Sequence, residues 1–212
     1  MRENLPANAV VACWWDYGYH TAVVADRASI CDNAALDQRQ IAMVARAFLS
    51  DEEEALKIFR ELGATHVVVF GFVVPAYEWA KVEELRGYWI SLGGVVGDDV
   101  VKSRWMALIA GLDPADYLGT TTFRLPNADV LVSIVTPMGE RAEDAVLYRM
   151  IFNNYEGPLR LWRGKILKRV EVDEQMNVVG VEEFHVKPLE HFKLVYASEP
   201  NRFVLVYEIV YD

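Results

Sequence analysis

The chain has 212 residues, of which 53% are apolar and 25% are charged, a balance typical of globular domains. This length is enough for one sizeable core, or for a core with a small companion domain. The formal net charge of −10 argues against nucleic-acid binding, because that function needs a basic stripe to displace counterions. No apolar run reaches the roughly 18 residues that a bilayer-spanning helix requires.

Strands and helices are predicted to alternate at the start of the chain. An apolar run predicts a buried strand over residues 8–14, and a β-branched run predicts a central strand over residues 65–70. Apolar residues at helical spacing predict a helix over residues 38–49. Ser50 is expected to cap a second helix, with Glu53 completing a capping box. The order strand, helix, helix, strand predicts a parallel arrangement of the two strands.

Further strands and helices are predicted from proline positions and from the spacing of apolar residues. A short strand is expected over residues 21–25, and Pro75 is expected to begin a helix that runs toward Ile90. Between residues 98 and 152 we expect a helix over residues 98–110, a buried strand over 129–136 and a helix over 142–152.

Beyond residue 153 the pattern changes to alternation near period two, which predicts strands. Four stretches carry it: residues 165–172, 178–186, 192–196 and 203–211. The predicted fold class is therefore mixed α/β. An α/β central core with a parallel-rich sheet occupies residues 1–152, and a smaller β-rich segment occupies residues 153–212, with its last strands free to rejoin the core.

The first candidate binding site is the stretch Trp14-Trp15-Asp16-Tyr17-Gly18, which combines hydrogen-bond donors with an acceptor. Indole N–H groups only donate hydrogen bonds and an ionised aspartate only accepts them, whereas a neutral hydroxyl does both. A pocket walled by these side chains could therefore bind one small hydroxyl while the rings exclude water. Tyr17 adds a further ring, and Gly18 would permit the turn. The alternative is ordinary core packing, the usual role of aromatic residues after a β-branched run.

A second candidate site lies on the predicted helix that starts near residue 98. Asp99, Lys102 and Met106 stand at i, i+3 and i+7, which places them within an arc of roughly 60° on one helix face. An ordinary capping acid, a surface ion pair and a core methionine would give the same pattern. Asp98 beside Asp99 raises the possibility of a metal site, but adjacent acids more often mark a helix N-terminus.

These two motifs, in this order, resemble those of the catalytic subunit of oligosaccharyltransferase. The aromatic motif is followed by Tyr19, Arg27 and Asp32-Asn33, and the helix supplies Asp-x-x-Lys-x-x-x-Met. Residues 147–149 and 191–198 also resemble this family. The resemblance covers the soluble C-terminal domain of an archaeal-type dolichyl-phosphooligosaccharide–protein glycotransferase. This family transfers a lipid-linked glycan to the Asn of Asn-X-Ser/Thr.

The resemblance implies a division of roles. Trp14, Trp15 and Asp16 would bind the Ser or Thr hydroxyl, Met106 would touch the threonine methyl group, and Lys102 and Asp99 would set the charge and orientation of the pocket. The family's metal ion, Mn²⁺ or Mg²⁺, is bound by acidic loops of the membrane region. No catalytic or metal-binding residue is therefore expected in this chain, which should be inactive alone.

The same resemblance implies partners and a location. The acceptor peptide Asn-X-Ser/Thr would bind here, and the lipid-linked oligosaccharide would bind through the full-length enzyme. An N-terminal transmembrane region of the same polypeptide would anchor this domain on the extracytoplasmic side of the cell membrane.

Two other functions remain open from the sequence. A stand-alone peptide-binding module would use the same residues without a catalytic partner. A hydrolase would use His20 with Asp16 or Asp32 as an acid–base pair, although the sequence has no Gly-x-Ser-x-Gly elbow. The two cysteines do not form a disulfide framework, and we expect buried free thiols.

Overall fold

The computed structural model describes residues 2–81, 83–93, 97–124, 131–153, 165–175 and 177–211. The strands are β1 Val10–Ala12, β2 Ala28–Ser29, β3 His66–Phe70, β4 Val73–Pro75, β5 Tyr88–Ser91, β6 Leu118–Arg124, β7 Leu131–Pro137, β8 Lys165–Val172, β9 Val178–Phe184, β10 Phe192–Ala197 and β11 Val204–Ile209. The α-helices are α1 Gln38–Leu49, α2 Glu52–Glu61, α3 Ala76–Ala80, α4 Asp99–Ile109 and α5 Val146–Asn153.

A five-stranded mixed sheet organises the fold, in the order β10-β11-β3-β1-β2. Strand β1 runs parallel to both β2 and β3, whereas β11 pairs antiparallel with β3 and with β10. The middle strand β3 consists of His66, three valines and Phe70, and its first four residues are buried. This composition suits a strand covered on both faces. The predicted mixed α/β class is confirmed.

Two smaller sheets complete the described strands. Strands β4, β5, β8 and β9 form a four-stranded sheet in that order, and β6 pairs with β7. Strand β8 runs parallel to β5, so strands from both sides of residue 153 share two of the sheets. Residues 154–164, which follow the predicted boundary between core and β-rich segment, lie outside the described residues.

Helices α1 and α2 show which local signals the sequence carries well. Helix α1 has the predicted bounds, and the Asp37 side chain caps it by accepting from Gln40 N at 3.0 Å. The predicted cap of α2 is wrong by one residue, because Asp51 accepts from Glu54 N at 3.0 Å. Ser50 instead donates from Oγ to the carbonyl oxygen of Arg46, so its hydroxyl belongs to the end of α1.

Two predicted elements are corrected. Residues 21–25 do not form a strand; a π-helical turn spans His20–Val24, and the short strand is β2, which pairs with β1. The helix that starts after Pro75 does not continue to Ile90 but ends at Ala80. Residues 88–91 form β5, which is held between β4 and β8. Among the described residues, no helix has the length and apolar character needed to cross a bilayer.

A buried ion pair fastens β10 to the helices. Arg149 donates from Nη2 to Glu52 Oε2 at 2.6 Å and to the carbonyl oxygen of Pro188. The second carboxylate oxygen of Glu52 accepts from Glu190 N at 2.8 Å and from His191 N at 2.7 Å. These contacts join the start of α2, the middle of α5 and the residues that lead into β10. Arg149 and His191 both belong to the segments that resemble the oligosaccharyltransferase family.

Candidate functional site

The aromatic motif forms a tight turn at the carboxyl end of β1. Residues Trp15–Tyr17 make one turn of 3-10 helix, closed by Tyr17 N donating to Trp14 O at 3.0 Å. Trp14 is buried and Trp15 is partly exposed, with their ring centroids 6.4 Å apart. The Tyr17 ring stacks on Phe70, the last residue of β3, at 3.8 Å between centroids. The motif therefore lies where two parallel strands end, the usual place for sites in α/β sheets.

Gly18 is required for a different reason from the predicted one. Its φ of −58° is open to any residue, so the turn does not depend on glycine. A Cβ atom at this position would lie 2.1 Å from the carbonyl oxygen of Cys31 and 2.3 Å from the Cα of Asp32. Gly18 therefore allows the motif to pack directly against the backbone of residues 31–32.

Asn33 holds the motif in place, a role that sequence reasoning missed. Its Nδ2 donates to the carbonyl oxygen of Asp16 at 2.9 Å, and its Oδ1 accepts from Tyr19 N at 3.1 Å. A side-chain amide both donates and accepts, so one residue satisfies both backbone groups. The resemblance had included Asn33 in its pattern without a function, and that pattern was the available signal.

Lys102 joins the helix motif to the aromatic motif. Its Nζ lies 2.6 Å from Asp16 Oδ2 and also donates to the Tyr17 hydroxyl. The same Nζ lies 4.1 Å from the centre of the Tyr17 ring. The side chains of Lys102 and Asp16 are 21% and 29% exposed, so solvent screens this pair only in part. Asp16 Oδ1 has no hydrogen-bond partner among the described residues. One acceptor of the motif is therefore unused.

The two adjacent acids anchor α4 to the end of β3. Asp98 caps the helix by accepting from Val100 N at 3.1 Å, and its other oxygen accepts from Phe72 N at 2.6 Å. Asp99 is fully buried and accepts from Phe70 N at 2.8 Å. These contacts identify a helix N-terminus and do not suit a metal site. Within the described ranges no group of three or more His, Cys, Asp or Glu could hold a metal ion.

Burial raises the pKa values of acidic groups near Lys102. Desolvation raises the pKa of Asp99 to about 8 and that of Asp98 to about 6, while the backbone N–H groups of Phe70 and Phe72 lower them in turn. Desolvation also raises the pKa of the Tyr17 hydroxyl well above its usual range, as do the negative charges of Asp99 and Asp16. Tyr17 is therefore a neutral hydrogen-bonding group at physiological pH.

Raising the pH from 5 to 7.5 is expected to lower the free energy of unfolding through Asp99. The pKa of an aspartate in an unfolded chain is about 3.9, against about 8 in the fold. Between these values the native state keeps a proton that the unfolded state has released. The stabilisation is therefore complete below about pH 4 and is lost as the pH rises through 8. One such proton gives a slope of about 1.4 kcal/mol per pH unit.

Urea denaturation of the wild type and of Asp99→Asn across this pH range measures that slope. The variant should show a shallower dependence on pH than the wild type. Asp26→Asn changes an exposed carboxylate and is the matched control. Its free energy of unfolding should depend on pH as steeply as that of the wild type. Parallel pH profiles for the wild type and Asp99→Asn would contradict the assignment.

Met106 lies in the core rather than at the surface. It is fully buried on the inner face of α4, in the same apolar cluster as Trp14. In this arrangement it offers no surface to a ligand, so the expected contact with a threonine methyl group stays a prediction. Trp15, Asp16, Tyr17 and Lys102 provide the accessible part of the candidate site.

The predicted acid–base pair of a hydrolase does not form in the described part of the chain. His20 is exposed and makes no hydrogen bond or ion pair with Asp16 or Asp32 there. Asp32 Oδ1 instead accepts from Ala34 N at 2.9 Å. The cysteines are free and buried, as predicted, and burial raises the pKa of Cys13 to about 11. A thiol with that pKa is a poor nucleophile at neutral pH.

Comparison with known proteins identifies the relatives of this chain. Residues 7–65 match the family model of the STT3/PglB/AglB core domain. Subunit STT3 of the Saccharomyces cerevisiae dolichyl-diphosphooligosaccharide–protein glycosyltransferase is 28% identical over 214 aligned residues, covering 100% of this chain and 26% of that protein. The Caenorhabditis elegans subunit stt-3 is 36% identical over 118 residues, covering 55% of this chain and 13% of that protein.

A solved structure gives a likeness of fold. The C-terminal globular domain of an oligosaccharyltransferase from Archaeoglobus fulgidus matches with a TM-score of 0.50 at 21% identity, covering 98% of this chain and 90% of that one. At this identity the likeness supports the fold alone. The chain spans about a quarter or less of the two curated relatives. The predicted resemblance is confirmed by these matches together.

Proposed function

We propose that this chain, whose residues 7–65 match the family model of the STT3/PglB/AglB core domain, is the acceptor-peptide-binding part of an oligosaccharyltransferase. Such an enzyme moves a glycan from a lipid carrier to the Asn of Asn-X-Ser/Thr. In this proposal the chain recognises the hydroxyl of the Ser or Thr that lies two residues after the Asn. The membrane-borne part of the same polypeptide carries out the transfer.

The unused oxygen of Asp16 is the observation that carries the proposal. Lys102 occupies Oδ2, and Asn33 fixes the backbone of Asp16, while Oδ1 is buried and has no partner among the described residues. The proposal therefore requires that peptide binding brings a hydroxyl to this oxygen through a local movement of the turn. Among the described residues, no group accepts from the indole N–H of Trp15. A neutral hydroxyl both donates and accepts, so it could satisfy this acceptor and this donor of adjacent residues.

Such a pocket would reject residues without a hydroxyl. A buried polar group left unpaired costs about 1–3 kcal/mol, so Val or Ala at the third position should bind about ten- to a hundredfold more weakly than Thr. Thr should exceed Ser by a few-fold if its methyl group is buried, because one buried methyl is worth roughly 0.8 kcal/mol. Met106 remains the proposed source of that contact, which requires the inner face of α4 to open toward the peptide.

The catalytic metal is placed outside this chain in the proposal. The acids that neighbour the pocket already pair with Lys102 or with the backbone N–H groups of Phe70 and Phe72. Mn²⁺ or Mg²⁺ would be held by loops of the membrane region, on the extracytoplasmic side. The chain alone should therefore bind peptide without transferring glycan, which is also the behaviour of a stand-alone peptide-binding module.

Titration of four peptides against the chain tests the proposal. They share the sequence Asn-Ala-Xaa, with Thr, Ser, Val or Ala as Xaa, and Val matches Thr in shape while lacking the hydroxyl. The expected order of affinity is Thr, then Ser, then Val and Ala. The proposal is contradicted if Val binds as tightly as Thr. Glycosylation of the Thr peptide by the chain alone would contradict the division between binding and transfer.

A further inference from the structure

An open cleft of about 640 Å³ adjoins the aromatic motif, with Tyr17 in its lining. Its apolar and aromatic lining comes from Tyr17, Phe70, Tyr196, Val24, Ala25 and Val204, and a polar part comes from Arg2, Glu3, Asn4 and His20. The stacked rings of Tyr17 and Phe70 form one wall, and the β10–β11 hairpin supplies Tyr196 and Val204. A cleft of this volume with mostly apolar walls has the character of a ligand site.

The turn that follows the motif exposes apolar side chains to water. The side chains of Val23 and Val24 in the π-helical turn are 77% and 68% exposed. Val24 lines the cleft, whereas Val23 does not belong to its lining. Covering an exposed valine side chain with an apolar group lowers the free energy, so the cleft favours an apolar occupant.

Tyr17 connects the cleft to the proposed hydroxyl pocket. Its hydroxyl contacts Lys102, which holds Asp16, and Tyr17 also belongs to the lining of the cleft. Successive residues of a peptide lie 3.8 Å apart at Cα. Because Tyr17 follows Asp16 directly in the chain and lines the cleft, the next one or two residues of a peptide whose hydroxyl binds Asp16 could reach the cleft.

The direction of the peptide follows from the division of roles. The Asn and the residue after it must face the transfer centre, which the proposed function places outside this chain. The residues that follow the Ser or Thr are free to lie on this domain. Resting on the proposed function, we infer that the cleft binds an apolar or aromatic side chain located one or two residues after the hydroxyl residue of the acceptor peptide.

Peptides that differ only after the threonine test the inference. Asn-Ala-Thr is followed by Phe-Phe, Leu-Leu or Gly-Gly, and each peptide is titrated against the wild-type chain. The Phe and Leu peptides should bind about tenfold more tightly than the Gly peptide, since a partly buried side chain of this size is worth that much. A peptide with photoreactive benzoylphenylalanine after the threonine should crosslink to residues of the cleft wall.

Val24→Asp and Val23→Asp form a matched pair of variants. Both replace an exposed valine of the same turn, but only Val24 lines the cleft. A carboxylate in the cleft should abolish the preference for Phe over Gly, and the Val23 variant should keep it. Equal affinities of the wild type for the Phe and Gly peptides, or equal losses in the two variants, would overturn the inference.

The outcomes separate this inference from the proposed function. If Thr is still preferred to Val but Phe and Gly bind alike, the cleft is not an acceptor subsite and the proposed function stands. If Phe is preferred to Gly but Val binds as tightly as Thr at the preceding position, the hydroxyl pocket is contradicted and the cleft binds apolar side chains independently of it.

Discussion

Replacing Asp16 with asparagine should weaken binding of an Asn-Ala-Thr peptide about ten- to a hundredfold and change the free energy of unfolding by less than about 1 kcal/mol. The carboxylate offers a charged acceptor to the peptide hydroxyl, and a hydrogen bond to a charged group is worth about 1.5–3 kcal/mol. The amide keeps the shape, and Lys102 keeps its contact with the Tyr17 hydroxyl. Peptide titration and urea denaturation measure the two quantities.

Asp32→Asn is the matched control for this prediction. Asp32 lies in the adjoining loop and its carboxylate pairs with Ala34 N, so the variant changes the net charge equally without touching the pocket. Lys102→Met completes a double-mutant cycle with Asp16→Asn. The two effects on peptide binding should be less than additive, because each variant breaks the same ion pair. Unchanged affinity in Asp16→Asn would exclude this carboxylate from the site.

Replacing Arg149 with methionine should lower the free energy of unfolding by about 3–5 kcal/mol. The Arg149 and Glu52 side chains are only 9% and 13% exposed, and removal of one partner leaves the other charge buried. The carbonyl oxygen of Pro188 also loses the Arg149 donor, and that of Lys187 keeps, among the described residues, only the long contact from Asn153 Nδ2 at 3.4 Å. For a domain stabilised by 5–15 kcal/mol, this loss is a large fraction of the total.

Arg39→Met is the comparison for this stability effect. Arg39 pairs with Glu61 at 3.5 Å, but the two side chains are 82% and 62% exposed, so the loss should stay within about 1 kcal/mol. Glu52→Gln placed in the Arg149→Met background should recover part of the lost stability by removing the unpaired charge. Similar midpoints of urea denaturation for Arg149→Met and Arg39→Met would show that the buried pair contributes little.

The fold could be predicted where the signal is local. The apolar spacing of Ile41, Val44 and Phe48 fixed α1 to the residue, because these side chains face one core. The bounds of β8 were also predicted as found, from alternation alone. The cap of α2 was one residue off because Ser50 and Asp51 are both good caps, and the Ser50 hydroxyl is taken by α1.

The missed elements depend on residues distant in sequence. Thr21, Val23 and Val24 have the β-branched composition of a strand, yet the chain turns there because Asn33 holds the preceding residues. Residues 88–91 form a strand because β4 pairs with them on one side and β8, which comes much later in the chain, pairs with them on the other. Neither cause is visible in a local window.

For the candidate site, the sequence predicted that the two motifs lie together but not how their side chains are arranged. The sequence selected Asp16 and Lys102, and the structure brings them within 2.6 Å. Burial of Met106, the role of Asn33 and the packing reason for Gly18 depend on how α4 and residues 31–33 approach the motif. These are tertiary contacts that spacing along one helix or one loop does not determine.

The position of β11 beside β3 has a consequence for biosynthesis. Strand β3 carries Phe70, whose N–H anchors Asp99, but one of its two edges is covered only by residues 204–209. On the ribosome, that edge is made long before its cover. Until residue 209 has emerged from the ribosome, the nascent chain therefore exposes an unpaired, valine-rich strand edge that can pair with other chains.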